Sequence, residues 1–285
     1  MTNENLEIVS RHRCFGGTQF FYKHPSSVIG LPMGFSVFVP PQAEQGRVPV
    51  LFYLAGLTCT EETFMIKAGA QRRAAELGLM LVTPDTSPRG AGVAGEDDDW
   101  DFGTGAGFYV DATQEPWARH YRMESYVAQA LFEIATTQLP GDPGRAGIFG
   151  HSMGGHGALV LAQRHRERYR SVSAFAPIAA PTRCPWGEKA FTGYLGDDRS
   201  VWARHDASEL MAASSSPYPE GILIDQGLAD NFLENQLHPE AFEEACKKAG
   251  QPLTLRRHEG YDHGYYFIST FMDDHLEFHA ERLKK

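Results

Sequence analysis

The sequence has no apolar stretch long enough to span a membrane and no long basic run. Its opening residues, Met1-Thr2-Asn3-Glu4-Asn5, lack the charged-then-apolar pattern of a secretory leader, so a cytoplasmic location is expected. No Asn-x-Ser/Thr acceptor for glycosylation is present. Cysteine is scarce: Cys14, Cys59, Cys184 and Cys246 are widely scattered, with no Cys-x-x-Cys pair. That excludes a disulfide framework and predicts free thiols. No His, Cys and carboxylate group has metal-ligand spacing, so metal-free chemistry is expected. The formal charge of 26 − 36 = −10 argues against nucleic acid or an anionic membrane surface as partner. Repeats, low-complexity tracts and linkers are also missing, which predicts one domain over residues 1–285. What is present is core-forming material: 42% hydrophobic and 12% aromatic residues, too much for a disordered chain.

The pattern of elements points to one fold class. Thr18–Lys23 and Phe35–Val39 are rich in aromatic and β-branched residues and read as antiparallel strands. From Val50–Leu54 onward, strands and helices alternate. Further strands are predicted at Leu79–Val82, Arg145–Phe149, Val172–Ala176, Gly221–Asp225 and Leu253–His258. Helices are predicted at Phe64–Leu77, Glu124–Gln138, Gly155–Ala162, Pro239–Ala249 and Tyr265–Arg282. Alternation of this kind implies a mostly parallel central sheet with helices on both faces, and the opening strands suit an antiparallel N-terminal edge.

Between one strand and one helix lies Gly150-His151-Ser152-Met153-Gly154. A Gly-x-Ser-x-Gly in that context is the nucleophile elbow of the α/β-hydrolase fold. The turn is so sharp that side chains at Gly150 and Gly154 would collide. Ser152 is therefore the candidate nucleophile, and the N–H of Met153 at the helix start is a candidate oxyanion donor.

In this fold the chain order is Ser, acid, His, with reactive groups at the carboxyl ends of strands. That order filters the twelve histidines. His12, His24, His120 and His151 precede the serine, and His156 and His165 belong to the elbow helix. His205 comes before the strand that should carry the acid. His238 starts a helix, His258 ends the last strand, and His275 and His279 read as a solvated helix face. His263 remains, in the loop Glu259-Gly260-Tyr261-Asp262-His263-Gly264 between the last strand and the last helix. For the acid, Asp225 and Asp230 both follow Ile222–Ile224. Asp225 is expected still in the strand, and position favours the loop residue Asp230.

Two other signals carry less. Asp97-Asp98-Asp99-Trp100-Asp101 invites a calcium loop, but Phe102 stands where its glycine should be and Phe108 where its glutamate should be. Gly103-Thr104-Gly105-Ala106-Gly107 lacks the third glycine of a dinucleotide fingerprint, so no cofactor is expected.

Several segments together resemble the S-formylglutathione hydrolases, also called the esterase D family. They are Leu54-Ala55-Gly56-Leu57-Thr58-Cys59-Thr60-Glu61-Glu62, Gly105-Ala106-Gly107-Phe108-Tyr109-Val110-Asp111-Ala112-Thr113, the elbow through Ala158, Cys184-Pro185-Trp186-Gly187, Ile224-Asp225-Gln226-Gly227 and Asp262-His263-Gly264-Tyr265-Tyr266-Phe267. The resemblance runs through most of the chain. It implies hydrolysis of S-formylglutathione to glutathione and formate, in formaldehyde detoxification, by a triad mapping onto Ser152, Asp230 and His263. It points to Leu57 as the second oxyanion donor, places Cys59 near the site and Trp186 in the acyl pocket, and suggests a homodimer. The chain departs from many relatives in having Ala55 and Gly264 where serine is common.

A formyl group is tiny, so a small acyl pocket is expected, with glutathione supplying most of the binding contact. The two glutathione carboxylates want cationic partners, and Lys67, Arg89, Arg183 and Lys189 are candidates among which the sequence does not select. The rival readings keep the same triad: a broader short-chain carboxylesterase, or an acyltransferase in which another acceptor outcompetes water. A non-catalytic scaffold on this fold would be expected to have lost a triad member.

Overall fold

The computed structural model describes residues 5–214 and 218–284. One nine-stranded sheet organises them: β1 (Glu7–Cys14), β2 (Gly17–Pro25), β3 (Pro32–Val39), β4 (Val48–Leu54), β5 (Met80–Pro84), β6 (Gly141–His151), β7 (Ser171–Phe175), β8 (Ile222–Gly227) and β9 (Leu253–His258). Their spatial order is β1-β2-β3-β5-β4-β6-β7-β8-β9. β1 through β3 pair antiparallel, and β3 joins β5 antiparallel. Every pairing from β5 to β9 is parallel. This is the mostly parallel sheet with an antiparallel N-terminal edge that the sequence pattern predicts.

All residues of β5, β7 and β8 are buried, and β4 nearly so. Successive side chains of a strand point to opposite faces, so the centre of the sheet is covered on both. The edge strand β1 is mostly exposed. Its sequence, Glu-Ile-Val-Ser-Arg-His-Arg-Cys, has little apolar alternation, which is why sequence reading passed over it.

The helices are α1 (Glu61–Lys67), α2 (Gln71–Leu77), α3 (Met123–Ser125), α4 (Met153–Arg164), α5 (Pro185–Leu195), α6 (Arg199–Trp202), α7 (Ala207–Ala212), α8 (Pro239–Ala249) and α9 (Tyr265–Leu283). α3 continues through π-type turns at Tyr126–Leu131 and Ile134–Gln138, so the expected helix over 124–138 is present but loosely wound. The single helix expected over Phe64–Leu77 is instead two. Gly69 takes a left-handed φ of 70° between α1 and α2, a conformation open to glycine and closed to a continuing helix. α1 also starts three residues earlier than expected. Thr60 caps it: its hydroxyl faces the N–H of Glu62, and the Thr60 N–H donates to Thr63 Oγ1 at 3.1 Å.

A second correction concerns α9. His275 and His279, expected on a solvated face, are fully buried. Their rings find polar partners inside the protein: His275 Nδ1 meets Ser173 Oγ at 2.8 Å, and His279 meets Ser171 Oγ at 2.6 Å and Ser173 Oγ at 2.9 Å. The two serines sit on β7, so α9 is bolted to the sheet by hydrogen bonds as well as by apolar contact. Among the described residues, no helix is long and apolar enough to cross a membrane.

Candidate active site

β6 runs through the middle of the sheet and ends at His151, and α4 begins at Met153. Between them Ser152 has φ 58° and ψ −120°, a strained conformation for a residue with a side chain. Its N–H donates to Phe175 O at 3.0 Å, which ties the turn to β7. The small neighbours are obligatory. A Cβ on Gly150 would come 2.2 Å from Gly154 O, and one on Gly154 would come 1.9 Å from Leu54 O. Backbone from β4, β6 and α4 converges there, so the elbow forms only around glycines.

The segment after β4 passes directly over the serine. A Cβ on Gly56 would lie 3.2 Å from both Ser152 Cβ and His151 Nδ1. Several bonds hold this segment. Tyr109 Oη donates to Ala55 O at 2.9 Å, the Thr58 N–H to Gly105 O at 2.9 Å, and Thr86 Oγ1 to Cys59 O at 2.5 Å. With its carbonyls turned into these contacts, the loop lies over Ser152 beside the first turn of α4. The first N–H groups of a helix lack intrahelical acceptors, so that of Met153 is available to a developing negative charge.

The loops after β8 and β9 extend the pairing of those strands. Leu228 N donates to His258 O and Ala229 N to Tyr261 O, each at 2.9 Å. This brings Asp230 against His263: Nδ1 of His263 meets Asp230 Oδ2 at 2.5 Å. The Asp230 side chain is fully buried and held in place by two further donors, the Phe232 N–H to Oδ1 at 2.8 Å and Gln226 Nε2 to Oδ2 at 3.3 Å. With Nδ1–H donated to the carboxylate, Nε2 carries the lone pair.

Asp225 is placed elsewhere. It lies within β8, where Arg256 grips it with Nε at 2.6 Å and Nη2 at 2.5 Å. His258 and His275 complete its shell at 3.1 and 3.2 Å. Burial alone would raise its pKa, but His275, Arg256 and His258 together hold the carboxyl far below the usual range. It is a structural anion.

Ser152 and His263 line one cavity of about 130 Å³, together with Gly56, Leu57, Cys59, His151, Trp100, Trp186, Phe232 and Tyr265. No hydrogen bond joins Ser152 to His263 among the described residues, and contacts of this kind often tighten only when substrate binds. The wall is aromatic. Trp186 packs edge-on against Trp100 at 5.6 Å and against Phe232 at 4.7 Å. His263 packs against Phe232 at 5.0 Å and against His151 at 4.4 Å. Burial, and then the neighbouring His263, keep the pKa of His151 well below the usual imidazole range, so this ring stays neutral. Burial also raises the Cys59 thiol, against the opposing pull of Thr63 and Lys67, so Cys59 is a thiol rather than a thiolate at neutral pH. Among the described residues, no three His, Cys, Asp or Glu side chains gather as a metal ion would require.

The structure places Ser152, His263, Leu57, Cys59 and Trp186 around one cavity, with Asp230 bonded to His263 and Met153 next to Ser152 in the chain. Sequence reasoning passed over His151, Phe232 and Tyr265 as lining residues. Phe232 and Tyr265 stand two residues after the acid and the histidine respectively.

Residues 26–278 match the Esterase family. The chain is 52% identical to the S-formylglutathione hydrolase of Rattus norvegicus over 279 residues, covering 98% of this chain and 99% of the relative. It is 54% identical to that of Paracoccus denitrificans over 277 residues, covering 97% and 98%. A solved structure of an S-formylglutathione hydrolase from Agrobacterium tumefaciens superposes with a TM-score of 0.94 at 52% identity, covering 97% of this chain and 99% of that one.

The chain belongs to the S-formylglutathione hydrolase family. Its fold is accordingly that of the α/β-hydrolases, in which a nucleophile elbow follows a central strand. Family membership also gives the small aromatic cavity a context: S-formylglutathione hydrolases are named for a one-carbon acyl group.

Proposed function

We propose that this protein hydrolyses S-formylglutathione to glutathione and formate through an acyl-enzyme on Ser152. One observation carries the reading: His263, bonded through Nδ1 to buried Asp230 at 2.5 Å, shares the wall of a cavity of about 130 Å³ with a serine on a nucleophile elbow. A drug-sized ligand needs roughly 300 Å³ or more. This cavity suits a short acyl group and its sulfur, with the rest of the substrate outside.

In the first step Ser152 Oγ attacks the formyl carbon and its proton passes to His263 Nε2. The carbonyl π pair moves onto oxygen, facing the N–H groups of Leu57 and Met153. Loss of one such donor costs on the order of a hundredfold or more in rate. The C–S bond then breaks. A thiol has a pKa of about 8.5, so it departs as thiolate more readily than an amine would, and the His263 proton can follow to sulfur. Water enters, gives a proton to His263 and attacks the formyl-serine ester. Collapse returns Ser152 and releases formate. Asp230 fixes the imidazole tautomer and stabilises its charged form throughout.

The deciding measurement is the loss of S-formylglutathione thioester with wild-type protein and with Ser152→Ala. Rapid turnover that disappears in the variant is expected. Poor turnover beside brisk cleavage of short aryl esters would replace this reading with a general serine carboxylesterase. Full activity in Ser152→Ala would overturn the triad.

A further inference from the structure

Glutathione carries two carboxylates and one ammonium at neutral pH, a net charge of −1. The chain that would receive it carries −10. The overall field therefore opposes the encounter, and binding needs a local cation. A cavity of about 130 Å³ does not hold a tripeptide, so the peptide must lie across its rim.

Three of the four cations considered from sequence are committed elsewhere. Arg89 pairs with Asp85 at 2.8 Å, Arg183 with Glu209 at 3.2 Å, and Lys189 with Asp101 and Asp99 at 2.5 and 3.0 Å. Lys67 differs: among the described residues it has no carboxylate partner. Its ammonium stands 5.8 Å from the centre of the Tyr265 ring, and Tyr265 lines the cavity beside Cys59. The Thr60–Thr63 cap fixes where α1 begins, and Lys67 is the last residue of that helix, two turns from the loop over Ser152. Its surroundings are unfinished in another way. Ile66 is 69% exposed and Tyr266 88%, two large apolar side chains adjacent in sequence to Lys67 and Tyr265. An exposed ammonium with no carboxylate partner, set over an aromatic ring of the cavity wall, suits a small peptide bearing a carboxylate.

We propose that Lys67 binds a carboxylate of the glutathione moiety and so sets the preference for S-formylglutathione over uncharged esters. The proposal rests on the substrate reading above. Lys67 is exposed beside Tyr265 of the cavity wall, so its contribution falls between an exposed ion pair and a charge-assisted hydrogen bond.

The test is steady-state kinetics of wild type, Lys67→Ala, Lys67→Arg and a Lys247→Ala control, with S-formylglutathione and with p-nitrophenyl acetate, at low and high salt. Lys67→Ala should raise KM for S-formylglutathione about five- to tenfold with little change in kcat. The kcat/KM ratio of thioester to aryl acetate should fall by the same factor. Lys67→Arg should recover most of the loss, and added salt should weaken S-formylglutathione binding less in Lys67→Ala than in wild type. Lys247, on the exposed side of α8, should show no such effect. An unchanged KM overturns the proposal, as does an equal loss on both substrates, which would mean that Lys67 supports the site's structure. A wild type that cleaves the aryl acetate but not S-formylglutathione overturns the substrate reading, and this proposal with it. That failure shows in the wild-type data alone, before any variant is compared.

Discussion

The imidazole of His263 lies against that of His151, ring centre to ring centre 4.4 Å. His151 is buried and neutral, and its ring nitrogens make no well-aligned hydrogen bond. Its value to the site is therefore shape: like Phe232, it packs against the His263 ring. His151→Phe should keep that packing and hold kcat within a few-fold. His151→Ala should free the base to wander and lower kcat by about ten- to a hundredfold, since small misplacements of catalytic groups are costly. If the Phe variant is as damaged as the Ala variant, the imidazole itself matters. Single-turnover kinetics of the two variants on an aryl acetate would decide.

Two aspartates five residues apart should fail in different ways. Asp230→Asn leaves His263 with the wrong tautomer, and kcat should drop by about a thousandfold or more with little change in Tm. Asp225→Asn breaks a buried carboxylate away from Arg256, a pair worth about 2–4 kcal/mol after allowing for the partial exposure of Arg256. That should lower Tm by several degrees while leaving kcat nearly intact. Calorimetry and kinetics on both variants separate the roles, and a large kcat loss in a stable Asp225→Asn would refute the assignment.

Acid should destabilise the protein from about pH 6.5 downward. His151, His156, His275 and His279 are all held below the ordinary imidazole range by burial, His156 to about 3. Each is a base whose pKa is lower folded than unfolded, so the unfolded chain takes up more protons below about 6.5 and stability falls with pH. The loss should be about 1 kcal/mol per imidazole between pH 7.5 and 5.5. Asp225 works in the other window. Its depressed pKa adds stability that is fully present above the unfolded value of about 3.9 and is lost only below it. Urea midpoints at pH 7.5, 6.5 and 5.5 test this, and a flat profile over that range would contradict it.

The aromatic wall should set acyl length. Trp186 meets Trp100 and Phe232 across the cavity, so Trp186→Ala should open it. Activity on p-nitrophenyl butyrate relative to acetate should then rise about tenfold, the scale of one or two methylenes finding room. An unchanged ratio would place acyl selection elsewhere.

Much of the site could be read in the sequence because its parts are local. The elbow needs small residues at Gly150 and Gly154 for reasons of backbone collision alone, and chain order left His263 as the base. What was illegible depends on distant partners. Nothing in the neighbourhood of His275 and His279 announces that Ser171 and Ser173 wait for them inside the protein. Likewise, Arg89, Arg183 and Lys189 looked no different from Lys67 until their carboxylate partners were placed. β1 and the break at Gly69 escaped for a simpler reason: a polar edge strand has no apolar period, and one glycine does not by itself end a helix.

The three side chains of the proposed triad do not share one support. Ser152 stands at the end of β6, a central strand, whereas Asp230 and His263 hang from β8 and β9, the last two strands of the sheet. They are joined there by the Leu228–His258 and Ala229–Tyr261 backbone bonds. Edges of sheets open at lower free energy than centres. On warming, the enzyme should therefore go silent before it melts: the acid and base leave while the nucleophile is still in place. That loss would be reversible on cooling, and the reactivity of Ser152 toward serine-directed reagents would fall and return with it.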